Sequence, residues 1–261
     1  MITEPSTERA VPLGSQILTE PTLSHKRLLT RPLAALLAGL GPALAALLSF
    51  VAWQPFIRPD FDLWSADDGE YHLLRVYVFE AAVRAGEWLP RWTPDLFVGY
   101  GYPIFNFYAP GTYYLALPLR LLGLDVYTTV QVLGAIAACA GAAGAYCLAR
   151  SVFVPEVRSS PRSNVELQTS NVEPGLLVGL VAALTFVYAP YPYITNLLIR
   201  ADLAEALGLA LLPWMLLAAW RAGRAPRRST VTLLAAAMGA VVLTHNLTAL
   251  VALPAAAIVG S

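Results

Sequence analysis

The sequence predicts an all-α membrane protein: a polytopic helix bundle whose first extracytoplasmic loop is long and bears juxtamembrane helices. Three observations lead there. The 261 residues are 57% hydrophobic and only 13% charged, whereas soluble domains are about 25% charged. Apolar stretches of near-span length recur, and the first, Leu33 to Trp53, holds 21 residues with no charge, enough for a helix crossing the roughly 30 Å hydrocarbon core. Arginines, finally, cluster at alternate ends of the apolar stretches, as the positive-inside rule requires.

A formal net charge of zero leaves no basic face for nucleic acid. Cys139 and Cys147 lie eight residues apart in one apolar run. That is about two helical turns, too far to bridge within one helix, so they read as small packing residues.

Residues 1–31 mix Ser, Thr, Pro and Glu with little periodicity and read as a disordered cytoplasmic tail. The membrane domain then runs over residues 32–261. Lys26, Arg27 and Arg31 precede the first span, 33–53, and set the N-terminus in the cytoplasm. That run is long for a signal-peptide core, so no cleavable leader is evident. The expected location is the plasma (inner) membrane, with several passes.

Residues 54–124 form the outer loop, with eight acids against five arginines. From Glu70 to Arg84, Tyr71, Leu74, Val78, Ala81 and Ala82 recur near helical spacing, which predicts an amphipathic helix in the interface plane. Gly86 and Pro90 end it, and a Gly-, Pro- and aromatic-rich stretch follows to Tyr108, suited to the headgroup level. Tyr113 to Leu122 carries Pro118 and Arg120 and is too short to cross, so it predicts a juxtamembrane or re-entrant helix.

The remaining spans are expected at 126–149, ended by Arg150, and at 175–189, 203–220, 231–244 and 247–261. In the first of these, Gly134, Ala138 and Ala142 repeat every four residues, as do Ala137, Gly141 and Ala145. Small residues so spaced let helices approach closely in lipid. Residues 151–173, with two copies of Ser-Asn-Val-Glu, predict a flexible cytoplasmic loop, and residues 190–202 an outer one. The chain stops at Ser261 inside an apolar run, which reads as a fragment of a longer membrane protein.

This topology gathers the polar clusters on one face. Asp67 and Asp68 are adjacent carboxylates that can share a divalent metal, or act as a general base and its neighbour; the alternative is an N-cap for the helix opening at Glu70. His72, a turn further on, reads as a metal ligand, a phosphate contact or a surface histidine without a role. Arg200, Asp202 and Glu205 read either as an interfacial ion-pair cluster or as a phosphate grip, for which a guanidinium fork is suited. His245-Asn246, between two apolar runs, is a hairpin turn or the polar break of one kinked helix, and in both cases points into the protein. No second copy of the acidic loop appears, which argues against a secondary transporter built on repeats.

At these residues the chain resembles the GT-C superfamily of membrane glycosyltransferases, in particular polyprenyl-phosphate-dependent enzymes such as protein O-mannosyltransferases and lipid A aminoarabinose transferases. The motifs are Asp67-Asp68 through Ala-Gly-Glu-Trp-Leu-Pro-Arg (85–91), the aromatic-proline stretch Phe105 to Tyr114, and Tyr146 to Arg150. Ala189-Pro190, Arg200 to Glu205 and Leu243-Thr244-His245-Asn246 follow. The wording of Phe97 to Pro103, Phe105 to Tyr108 and Thr244 to Leu247 is more similar still to a bacterial membrane family labelled "6-pyruvoyl-tetrahydropterin synthase-related, membrane domain". Nothing in the chain resembles the soluble pterin enzyme or its zinc histidines. Tyr108 and His245 stand where the transferases carry lysines that contact phosphate.

The resemblance implies a GT-C type bundle and sugar transfer from a polyprenyl-phosphate donor to an extracytoplasmic glycan, lipid or protein acceptor, among membrane lipids. Asp67 and Asp68 would be catalytic, with a divalent metal a possible cofactor there. Glu70, His72, Arg91, Arg200, Asp202, Glu205, His245 and Asn246 would bind substrate. The alternative it implies is a non-catalytic scaffold that handles lipid-linked glycans.

Overall fold

The computed structural model describes residues 39–159 and 174–261. The predicted tail, the start of the first span and most of the 151–173 loop lie outside the described residues. What is described is all-helical, and the only strand-like pairing among those residues is an isolated bridge between Thr93 and Tyr102.

Helix α1 (Gly39–Ile57) closes in a 3₁₀ turn over Gln54–Ile57. The long loop carries α2 (Gly69–Arg84), one helical turn at Ile104–Phe107, and α3 (Gly111–Leu121). Gly123, at a φ of +92°, ends α3. Asp125 then caps α4 (Val126–Ser159) by accepting from the Thr128 N–H at 2.9 Å. Next come α5 (Pro174–Tyr188), α6 (Pro190–Ile199, a π-helix), α7 (Leu203–Arg224), α8 (Arg228–Thr244) and α9 (Asn246–Gly260).

Among the described residues three helices are long and apolar enough to cross a membrane: α1, α4 over Val126–Val154, and α7. The bent pair α5–α6 makes a fourth if it counts as one span. Helices α8 and α9 are apolar but have only 17 and 15 residues, about 26 and 22 Å of rise against a roughly 30 Å core. Helix α3, at 11 residues, is far too short to cross, in keeping with the juxtamembrane expectation.

Three expectations need correction. Arg150 does not end its helix, because arginine is a good helix former and its guanidinium reaches back to the Tyr146 hydroxyl at 3.3 Å. Residues 190–199 are not loop. Pro190 occupies the first turn, where its missing N–H costs nothing, and the wider helix leaves α5 at 43°. In α2 the face turned to the protein lies about half a turn round from the predicted apolar face. Tyr71, Leu74 and Ala81 are exposed; of the predicted face Val78 is buried, together with Gly69, His72, Leu73, Val76, Phe79 and Glu80. A histidine and a glutamate stand on that inward stripe, which hid it from a hydrophobicity reading.

Helix α4 is the hub, packing against α5 and α7, while α7 also packs against α8 and α9. The small-residue stripes explain how. Ala137, Ala138 and Ala142 have no exposed surface. A Cβ on Gly134 would lie 2.5 Å from the Phe56 ring, and one on Gly141 2.1 Å from the Tyr193 hydroxyl. Tyr193 Oη donates to the Ala137 carbonyl at 3.1 Å and Trp214 Nε1 to the Ala140 carbonyl at 2.9 Å. The stripes are thus spent on contacts within the chain.

A buried ion cluster ties α2 to α3. Glu80, 7% exposed, accepts from Arg84 at 2.8 Å and from Arg120. Burial alone would raise its pKa, but the two guanidiniums hold it below the usual carboxylate range. The stability this confers is complete above the unfolded glutamate value and disappears as pH falls through the depressed folded one. Glu80→Gln leaves Arg120 uncompensated, and removing one partner of a buried pair costs about 3 kcal/mol. The expected result is a lower melting temperature for the purified protein at pH 7, a gap to wild type that closes as pH is lowered past 4, and no loss of secondary structure by circular dichroism.

Candidate functional site

The site is built where the start of α2 meets the turn between α6 and α7. The Asp68 N–H donates to the Arg200 carbonyl at 2.7 Å, and the Asp202 N–H to the Asn196 carbonyl at 2.8 Å. Between them Ala201 is fully buried at a φ of +54°, the left-handed region that a residue with a Cβ rarely adopts. Strain of this kind persists where surrounding contacts over-determine it. The approach to α2 is close: a Cβ on Gly69 would lie 2.1 Å from the Leu63 carbonyl oxygen and 3.3 Å from Ala201.

Asp202 caps α7 by accepting from the Glu205 N–H at 3.0 Å. Asp68 occupies the N-cap position of α2, but its side chain makes no cap bond. Its Oδ2 instead accepts from Arg200 at 2.9 Å. Arg200 also donates to Asn196 at 2.8 Å, Glu205 at 2.9 Å and Asp202 at 3.1 Å. One guanidinium therefore binds three carboxylates. Partial burial opposes its charge, but those carboxylates hold its pKa above the ordinary arginine value.

Behind this cluster His72 is completely buried, with Nε2 3.3 Å from Asp202 Oδ1 and Nδ1 3.3 Å from the Tyr113 hydroxyl. Burial lowers its pKa despite the nearby aspartate, so the imidazole is neutral. The contacts then assign its proton to Nε2, donating to Asp202, with Nδ1 accepting from Tyr113. Burial would raise the Asp202 pKa, but the His72 and Glu205 hydrogen bonds prevail and hold it at about 2. The Arg75 guanidinium stacks 3.8 Å from the centre of the Tyr108 ring.

His245 is the extended residue between α8 and α9, so the hairpin-break reading describes it. Its Nδ1 accepts from the Thr248 N–H at 3.2 Å, capping α9, and lies 2.7 Å from Thr248 Oγ1. Gly111 at the start of α3 fits against this break, since a Cβ there would lie 2.4 Å from the Leu243 carbonyl oxygen.

These groups open on a cavity of about 820 Å³. Asp68, Tyr108, Tyr191, Arg200, Asp202, Glu205, His245 and Asn246 make its polar end, while Leu209, Leu212, Leu247, Val251 and Ala252 make an apolar flank along α7 and α9. Of the ten residues singled out from the sequence, six therefore line one cavity: Asp68, Arg200, Asp202, Glu205, His245 and Asn246. His72 lies just behind it. Asp67, Glu70 and Arg91 are exposed and outside the lining. The sequence missed Tyr113, Tyr191 and Arg75; Arg75 follows His72 by three residues, the one signal of a shared helix face. The group of three metal-capable side chains among the described residues is Asp202, Glu205 and His245, whose ligand atoms lie within 4.8 Å of one another, and neither Asp67 nor Asp68 belongs to it.

Comparison with protein-family models, curated proteins and solved structures returns no match to this chain.

Proposed function

We propose that the chain is the membrane part of a GT-C type glycosyltransferase, which moves a sugar from a polyprenyl-phosphate donor to an extracytoplasmic acceptor. The observation that carries this reading is the two-sided cavity. Acidic and imidazole groups crowd one end and an uncharged leucine and valine wall flanks it, which suits an amphiphile with a polar head and a hydrocarbon tail. The motif resemblance of the acidic loop, the Arg200 cluster and the Leu-Thr-His-Asn break supplies the reaction class.

In this reading Asp68 is the general base. Its Oδ2 is fixed by Arg200, while its Oδ1 has no hydrogen-bond partner among the described residues. That oxygen takes the acceptor hydroxyl proton as the acceptor oxygen bonds to the anomeric carbon. The bond from that carbon to the phosphate oxygen breaks, and the polyprenyl phosphate leaves with the electron pair. His245 and Asn246 face the leaving phosphate, where charge develops. The test is transfer of a labelled sugar from a polyprenyl-phosphate donor by the purified full-length protein. A protein that binds the donor and never transfers would favour the non-catalytic scaffold.

The reading also needs the site on the extracytoplasmic face, with a cytoplasmic N-terminus. Single cysteines at Ser65 and Ser229, both exposed, in a background lacking Cys139 and Cys147, are expected to react with an impermeant thiol reagent from opposite sides. Reaction of both from one side would contradict the topology.

A further inference from the structure

We propose that Asp202, Glu205 and His245 hold one divalent cation, and that this cation, rather than Arg200, receives the anionic head of the ligand. The second clause rests on the lipid-phosphate reading above; the first does not.

Geometry comes first. The three ligand atoms come from the first turn of α7 and from the α8–α9 break, within 4.8 Å of one another. Ligands at about 2.1 Å from one small divalent ion lie about 3 Å apart when adjacent and up to about 4.2 Å apart when opposite, so side-chain movements of about 1–2 Å bring all three onto one ion. The set of two carboxylates and one imidazole suits Mg²⁺ or Mn²⁺ and neighbouring divalent ions.

His245 gives an independent pointer. It is 8% exposed and lines the cavity. Its Nδ1 is engaged by Thr248, while its Nε2 has no hydrogen-bond partner among the described residues. Binding a metal through Nε2 moves the ring proton to Nδ1, which then donates to Thr248 Oγ1, 2.7 Å away, and gives up the cap bond it accepts from the Thr248 N–H. Metal-binding histidines are commonly held through their second nitrogen in this way.

Charge completes the case. Asp68, Asp202 and Glu205 share the one guanidinium of Arg200, while the neighbouring Arg75 stacks on Tyr108 and pairs with no carboxylate among the described residues. The cluster therefore keeps an excess of negative charge that a divalent ion offsets. Arg200 is a poor phosphate clamp, because four of its five N–H donors are committed to Asn196, Asp68, Asp202 and Glu205. An anionic headgroup entering without a cation would meet repulsion.

The test is binding of Mn²⁺ alone to the purified full-length protein in detergent, read by electron paramagnetic resonance, with pulsed measurements for nitrogen coupling. One saturable Mn²⁺ per chain is expected, with an imidazole coupling that disappears in His245→Gln. Glu205→Gln and Asp202→Asn should each weaken binding at least about tenfold, while Asp60→Asn, in an exposed pair with Arg58, should not. The nitrogen coupling in wild type reads the site even where a variant folds poorly. No saturable ion, or an ion with no imidazole coupling and equal affinity in Glu205→Gln, overturns the proposal. The two readings separate cleanly: sugar transfer by a chain that binds no Mn²⁺ overturns the cation and keeps the transferase, and Mn²⁺ bound by a chain that transfers nothing does the reverse.

Discussion

Asp68→Asn is expected to lower sugar transfer by about 10²- to 10⁴-fold, the usual contribution of a positioned general base, while the purified protein keeps its melting temperature within a few degrees. The substitution keeps the side-chain volume and an oxygen that can still accept from Arg200. It costs no helix cap, because the Asp68 carboxylate makes no cap bond in α2. Asp67→Asn should leave transfer within a few-fold of wild type, since Asp67 is exposed and outside the cavity lining. The check is kcat and KM for the labelled donor, with binding of the non-transferable lipid phosphate measured in parallel. Full transfer by Asp68→Asn would remove Asp68 from the chemistry.

Arg200→Ala is expected to have the largest effect on stability. It strips the counter-charge from Asp68, Asp202 and Glu205 together, whose side chains are only 26, 5 and 14% exposed. Leaving such charge unpaired costs about 3–5 kcal/mol, so a marked fall in the melting temperature follows, with loss of donor binding. Arg200→Lys should recover only part of it, because an ammonium cannot span four partners the way the planar fork does. Simultaneous Asp68→Asn should restore part of the stability of Arg200→Ala by removing one of the stranded charges. Equal melting temperatures for wild type and Arg200→Ala would mean the cluster is solvated rather than structural.

Much of the fold was legible because burial in lipid and close helix packing both write onto composition. The uncharged run before Trp53 and the Gly134 and Gly141 stripes are read by the same physics that packs them. The α2 face was not, because its inward positions include His72 and Glu80, whose polar groups are satisfied by Asp202, Tyr113 and Arg120 from far along the chain as well as by the neighbouring Arg84. No local pattern reports a partner 130 residues away. The bend into α6 was hidden for a similar reason. Paired prolines usually mark a loop, yet Pro190 and Pro192 lie in the opening turns of a wider helix.

The site divides along the same line. Asp202, Glu205, His245 and Asn246 were visible as charged or polar residues inside apolar surroundings, where each demands a partner or a cavity. Asp202 and Glu205 group around Arg200 as neighbours in sequence, whereas His245 and Asn246 were expected on the same face from the topology. That Asp68 rather than Asp67 joins them depends on which way the chain turns into α2, and that turn is set by Gly69 against the Leu63 carbonyl and by the left-handed Ala201. Neither appears in a periodicity.

The account's central claim is that a lipid phosphate places its head among these residues and its chain against the α7–α9 flank. The most direct test is photo-crosslinking with a polyprenyl phosphate carrying a diazirine on its first isoprene unit, followed by peptide mapping. The account predicts adducts concentrated at Leu209, Leu212, Leu247 and Val251, competed by unlabelled polyprenyl phosphate and reduced when Val251 is replaced by a bulkier tryptophan. Adducts spread evenly over the lipid-facing helices, unaffected by competitor, would contradict it.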